Sequence, residues 1–457
     1  MSSSGFRVRS VGEAGVRRRE AWPGKAARFG VLGVVPALIF CAHFFYGATL
    51  DLPALTMFAV LSGALVVALI RSSARAELER LSSGTVLFGL FTGVVAIAAL
   101  TLTPAVPGGP LPIWSWAGLP PAATLNRSAT IVEIIKLTGL ASVFVLGCLL
   151  GARAERAREV MVMLLALGGI YAAVSLVLFL GGGQIAAGSS RLAGGFFSAN
   201  LAGTQFGVLT MLATAWLIRG WGQAARETVV TRIIDLAPVI AVLLLFVACL
   251  LLTASRAAIV STVAGAGLLL GWAALDNRGS RWLPMVGGGI ILSCAAVLIV
   301  QGNTLFADRF GGLAEGDATR EAVAAAHWRA FLDSPLFGYG LGSYPEVNNQ
   351  IMTVSNADAL AVSVIQHNAY LQWLEEAGIV GALPMFALIA VILGTTAWRA
   401  FQRKRNRTVI MGLLAASVVV LLHAAVDVSL NTPSFEAFWA LLLGMGFALS
   451  QAPRRAG

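Results

Sequence analysis

Apolar runs of about twenty residues recur along almost the whole chain, the length that crosses a bilayer as an α-helix. They centre on Phe29–Tyr46, Leu52–Ile70, Gly84–Leu102, Ala129–Leu150, Val160–Leu180, Leu201–Ile218, Leu236–Leu252, Ala257–Leu275, Pro284–Val300, Gly378–Thr396, Val409–Val428 and Phe435–Leu449. The breaks between them are short, apart from one polar excursion, Gly302–Ala377, between the ninth and tenth runs. No stretch shows the short alternating segments of a membrane β-barrel. The pattern therefore predicts an all-α polytopic membrane protein with about twelve transmembrane helices and one large loop between helices 9 and 10. A basic tail over residues 1–28 precedes a single membrane-embedded unit, 29–450, and a short end, 451–457.

Composition agrees: 58% of the 457 residues are hydrophobic and only 12% charged, half the usual charged share of roughly 25%. A net charge of +10 invites a nucleic-acid reading. The distribution argues against one, because the basic residues cluster between apolar runs. With the N-terminus in the cytoplasm, strict alternation puts most of the 32 basic residues on the cytoplasmic side, as the positive-inside rule requires. Lys136 falls within the fourth span. Six arginines remain outside: Arg127, Arg191, Arg256, Arg309, Arg320 and Arg329. The tail lacks a small-residue cleavage site and reads as cytoplasmic. The four cysteines, Cys41, Cys148, Cys249 and Cys294, lie in apolar runs and read as buried small hydrophobes. No motif of metal-ligand spacing occurs, so no metal and no cofactor are expected.

The outer arginines sit in motifs. RLAGGFFSAN carries Arg191 and Asn200 where the chain re-enters the membrane; they are either a ligand-binding pair or a snorkelling arginine with a capping asparagine. LTASRAA places Arg256 in a connection too short to leave the membrane surface, with Ser255 as a helix cap; such an arginine faces a polar cavity, an anion or the headgroups. Arg320 to Leu332 reads as an outer amphipathic helix carrying Arg320 and Arg329, stopped near Pro335 before the flexible GYGLG turn. No strand precedes those glycines, so they are not a dinucleotide fingerprint. Thr103–Ser128 reads as a loop on the bilayer, with Trp114 and Trp116 at headgroup level.

IQHNAYLQWLEEAGIVG follows, with His367 and Asn368 opening a helix. A histidine at the edge of a membrane cavity suits general-base work, or it caps the helix. In HAAVD, the i,i+4 spacing puts His423 and Asp427 on one helix face, as a proton relay or, the favoured reading, a structural pair. Arginine forks match phosphate oxygens. Arginines converging on the outer leaflet beside a histidine thus suggest a lipid-linked phosphate or diphosphate, with the histidine deprotonating an attacking hydroxyl.

RLAGGFFSAN, the TASRAA turn, Arg320 ahead of PLFGYGLGSY, the HNAYLQWLEEAGIVG closure and the HAAVDVSLNTP ending occur in one order from about residue 80 onwards. In this the chain resembles the O-antigen ligase and polysaccharide polymerase superfamily of bacterial inner-membrane glycosyltransferases. The resemblance implies a GT-C-like fold and a glycan donor on undecaprenyl diphosphate, used at the periplasmic face with neither nucleotide nor metal. Carried over by position, Arg191, Arg256 and Arg320 hold the diphosphate and His367 activates the acceptor hydroxyl. Asn368, Tyr370 and Glu376 line or brace the site, and Arg309 and Arg329 are cavity-wall candidates. The family's tryptophan soon after the Arg320 position is missing, the nearest being Trp328, which leaves Arg320 and Arg329 in competition. The acceptor is lipid A–core for a ligase, the lipid-linked glycan for a polymerase, or a protein. A secondary transporter with the same span count would show related halves and midplane polar residues; this chain shows neither. A scaffold would leave the outer arginines and His367 unexplained.

Overall fold

The structure is a computed structural model that describes residues 30–107, 111–184, 190–223, 228–276, 319–361 and 365–452. The described residues are helical throughout, without strands. The principal helices are α1 (Val35–His43), α2 (Asp51–Leu69), α3 (Gly84–Thr101), α4 (Arg127–Gly151), α5 (Ala154–Leu180), α6 (Ala199–Gln223), α7 (Val229–Leu252) and α8 (Arg256–Asp276). After them come α9 (319–333), α10 (Tyr344–Ile351), α11 (Ala369–Phe401), α12 (Arg407–His423) and α13 (Pro433–Gln451).

Among the described residues, nine helices are long and apolar enough to cross a membrane: α2 to α8, α11 and α13. Each coincides with an expected span. Of the other three, Pro284–Val300 lies outside the described residues, as do Arg309 and residues 1–29 and 453–457. The run at Phe29–Tyr46 yields only the nine-residue α1, and that at Val409–Val428 yields the 17-residue α12. Most residues in the apolar stretches of α6 and α13 are buried, 83% and 89% of them, so these two form the centre. Helices α4 and α13 approach until backbone meets backbone: a Cβ on Gly147 would collide with the Leu441 carbonyl oxygen. Small residues allow such crossings where the surrounding solvent offers no hydrophobic drive for association. Lys136 inside α4 is compensated by Glu133 at 2.8 Å and Asp51 at 3.1 Å.

Helix α11 is broken one-third of the way along. Gly378 takes φ +60° and ψ −178°, and a Cβ there would collide with the Leu336 carbonyl. The break frees backbone groups that hydrocarbon cannot solvate, and the SPLFGYG segment takes them up. Ile379 N donates to Pro335 O (2.8 Å) and Val380 N to Leu336 O (3.0 Å). In return, Tyr339 N donates to Glu375 O (3.0 Å) and Gly340 N to Glu376 O (2.8 Å). The Glu376 carboxylate accepts from Gly342 N (2.8 Å) and Tyr344 N (3.2 Å). The glycine-rich turn is thus locked to a membrane helix.

Trp114 and Trp116 part company. Trp114 Nε1 donates to Thr124 O (2.7 Å), and the Arg127 guanidinium stacks 4.6 Å over its ring. Trp116 is exposed. Their segment also docks inward, with Leu125 N donating to Tyr339 O (2.8 Å) and Thr130 Oγ1 to Leu341 O (3.0 Å).

Candidate active site

Three helices begin beside the candidate residues: α6 at Ala199, α8 at Arg256 and α11 at Ala369. Helix N-termini carry partial positive charge and favour anions. Arg191 lies in the loop before α6. Its Nε donates to Thr253 O (2.7 Å) in the turn between α7 and α8, and its guanidinium also donates to Asn200 Oδ1 (2.6 Å). Leu192 N donates to Leu252 O (3.0 Å), and Gln184 receives from Ala193 N (3.1 Å) while donating to Arg191 O (2.9 Å). The arginine is therefore held from both its backbone and its side chain. In the turn that it grips, Ala254 adopts φ +47°, and Ser255 Oγ accepts from Ala258 N at 3.4 Å. Arg256 follows at once and is exposed.

The meeting point is Asp427. It is fully buried, 3.6 Å from His423 Nδ1, beside Asn200 and in the fields of Arg320 and Arg191. Burial, the largest influence, pushes the Asp427 carboxyl up to about 7, and the Val428 amide, Asn200, Arg320 and Arg191 oppose that rise. His423 is hydrogen-bonded through Nδ1 to Thr204 of α6 (2.6 Å). The i,i+4 helix-face expectation is corrected here. Helix α12 ends at His423, and Asp427 lies in the following turn; the approach to His423 comes from that turn.

His367 precedes α11. Asn368 caps the helix, its Oδ1 accepting from Tyr370 N and Leu371 N. Ala369 N donates to Ala424 O (2.9 Å) and Tyr370 Oη to Leu421 O (2.8 Å), which ties this helix start to the end of α12. Burial, and after it the charge of Arg320, holds the His367 imidazole below its ordinary range. Nδ1 is buried without a hydrogen-bond partner, and the residue as a whole is half-buried. Arg320 thus acts on both His367 and Asp427.

Helix geometry places Arg320 and Arg329 on different sides of α9. Val323, His327, Ala330 and Phe331 form the buried stripe of α9, and Arg320 extends it by one turn. Arg329 is nine residues from Arg320, about two and a half turns, and so lies on the opposite side. Among the described residues, Arg329 is not one of the charges acting on His367 or Asp427, and neither Arg320 nor Arg256 forms a hydrogen bond or ion pair.

Sequence reasoning gave no role to His327, Glu375, Thr204 or Gln184. His327 is enclosed between Glu375 Oε1 (2.7 Å), Asn348 Oδ1 (3.2 Å) and the stacked ring of Tyr344. It pins α9, which carries Arg320, to α11, which His367 precedes. The one available signal was a histidine on the buried stripe of an amphipathic helix.

An apolar cavity of about 680 Å³ lies between α3, α4, α11 and α13. It runs from Leu78 and Leu81 to Ala369, Tyr370 and Leu430, beside the His367 end of the bundle.

Among the described residues, nine helices of span length and apolar composition define a multi-pass helical membrane protein. Residues 241–386, about a third of the chain, match a family model described as O-antigen ligase, which bears out the resemblance over that segment. The segment holds Arg256, Arg320, Arg329 and His367; Arg191, Asn200, His423 and Asp427 lie outside it. No curated protein matches the chain.

Proposed function

We propose that this protein is an O-antigen ligase that transfers a glycan from undecaprenyl diphosphate to an acceptor hydroxyl at the periplasmic face of the bacterial inner membrane. The carrying observation is that Arg320 acts on both His367 and Asp427, while Arg191 acts on Asp427 from another element. Two cations from separate parts of the chain thus act on Asp427, and one of them, Arg320, also acts on the half-buried imidazole of His367. The family match supports the same reading.

In this mechanism Arg191, Arg256 and Arg320 hold the diphosphate, and the apolar cavity takes the polyprenyl chain. His367 Nε2 accepts the proton of the acceptor hydroxyl as its oxygen attacks the anomeric carbon. The bond from that carbon to the diphosphate oxygen breaks, and the leaving group carries away the electron pair. Arginines placed where that charge develops stabilise the transition state more than the ground state. Asn368, Tyr370 and Glu376 brace the site through the bonds described above.

The test is incubation of the purified protein with an undecaprenyl-diphosphate-linked glycan, with and without lipid A–core, in EDTA. Glycan on lipid A–core is the expected product. Longer carrier-linked glycan with untouched core would replace the ligase with a polymerase, and an intact donor in both arms would overturn glycosyl transfer to these acceptors.

A further inference from the structure

Arg219 lies near the far end of α6, 19 residues from Asn200 and so about 28 Å away along the axis, close to the thickness of a bilayer core. Most arginines at that end are engaged. Arg153 and Arg156 pair with Glu77, and Arg407 with Asp276. Arg399 donates to Ser82 Oγ (2.9 Å) and Arg403 to Leu449 O (2.7 Å).

Arg158 on α5, Arg219 on α6 and Arg405 between α11 and α12 differ. Among the described residues none of the three has a carboxylate partner, and Glu159, next to Arg158, forms no ion pair. They are close enough for Arg158 and Arg405 to act electrostatically on Arg219. Arg158 Nε and an Arg219 terminal nitrogen are buried without an acceptor. The Arg219 guanidinium stacks 4.9 Å over the Trp216 ring. Orientation in the membrane needs basic residues on one side, but it does not need three of them to converge. Convergent guanidinium forks with unused buried donors call for a multi-oxygen anion. At the membrane boundary beside an indole, that anion is a lipid phosphate.

We propose that Arg158, Arg219 and Arg405 form a binding site for the phosphate of an anionic phospholipid headgroup, at the membrane face opposite the candidate active site. The site stands independently of the glycosyl-transfer reading. Its ligand bridges α5, α6 and the start of α12, and α6 and α12 carry Asn200, Thr204 and His423 at their other ends.

Native mass spectrometry of the full chain tests this, with titrated phosphatidylglycerol or phosphatidylethanolamine. Phosphatidylglycerol is expected to be retained preferentially. The Arg158→Ala/Arg219→Ala variant should weaken that retention roughly thirty-fold, and Arg405→Ala, at an exposed loop position, should weaken it less. Arg71→Ala, at another exposed arginine, should leave it unchanged. Equal retention of the two lipids, undiminished retention in both site variants, or an equal loss in Arg71→Ala would overturn the site. Displacement of the lipid by millimolar inorganic phosphate would replace the lipid with a soluble anion.

Discussion

His327 Nδ1 lies 2.7 Å from Glu375 Oε1, and neither side chain has exposed surface. The contact joins α9 to the broken helix α11, so the arginine and the histidine of the site are positioned by a pair that touches neither. Removing one partner strands the other in a buried position. Glu375→Ala and His327→Ala should each destabilise the fold by about 3–5 kcal/mol, read as a lower thermal midpoint in detergent. A midpoint equal to that of the unaltered protein would show that α9 is held by other contacts.

His367→Ala should lower transfer by roughly 10²–10⁴-fold, the usual weight of a general base, with expression and membrane insertion unchanged. Turnover close to that of the unaltered protein would remove the base assignment.

The pH dependence follows from the same residue. The base works as neutral imidazole, and its folded pKa is below the usual value. Activity should therefore persist as pH falls through about 6.5 and decline only at lower pH, where the ring protonates. Arg320→Ala removes one cause of the depression, so the acid inflection should move upward towards the ordinary histidine value. An inflection that stays in place in a pH–rate profile of that variant would separate Arg320 from His367.

Arg191→Ala and Arg320→Ala should weaken donor binding more than acceptor binding, whereas Arg329→Ala should leave both nearly intact. Titration of each variant with the lipid diphosphate and with the acceptor decides this. A loss in Arg329→Ala equal to that in Arg320→Ala would mean that both sides of α9 meet the donor.

A cysteine introduced at Asn349 should react with a membrane-impermeant thiol reagent in intact cells, and one at Gln402 should be protected. The reverse pattern would invert the orientation.

The spans were legible because the demand for about twenty apolar residues overrides local propensity, and nine of the twelve expected runs appear as full-length helices. Helix α9 was legible from its periodicity and from Pro335. The start of α11 at His367 and Asn368 was legible, although the residue that caps it is Asn368 and not the histidine. The break at Gly378 was not, because GIVG reads as an ordinary apolar stretch until the SPLFGYG segment is known to supply its hydrogen bonds. The pairing of His423 with Asp427 was foreseen, but through the wrong geometry, since i,i+4 spacing cannot reveal that the helix ends between the two. His327 was visible as a residue and silent as a contact: its partners Asn348 and Glu375 lie 21 and 48 residues away.

The interruption at Gly378 also bears on biogenesis. A half-helix cannot rest in lipid until its exposed amides and carbonyls find partners, and those partners belong to Pro335–Gly340. That segment precedes α11 in the chain, so it has already been synthesised when Gly378 reaches the bilayer. The order of synthesis supplies the template before the strand of backbone that needs it. Shortening Pro335–Gly340 should therefore appear as a protein that never completes its assembly and is degraded, ahead of any loss of turnover.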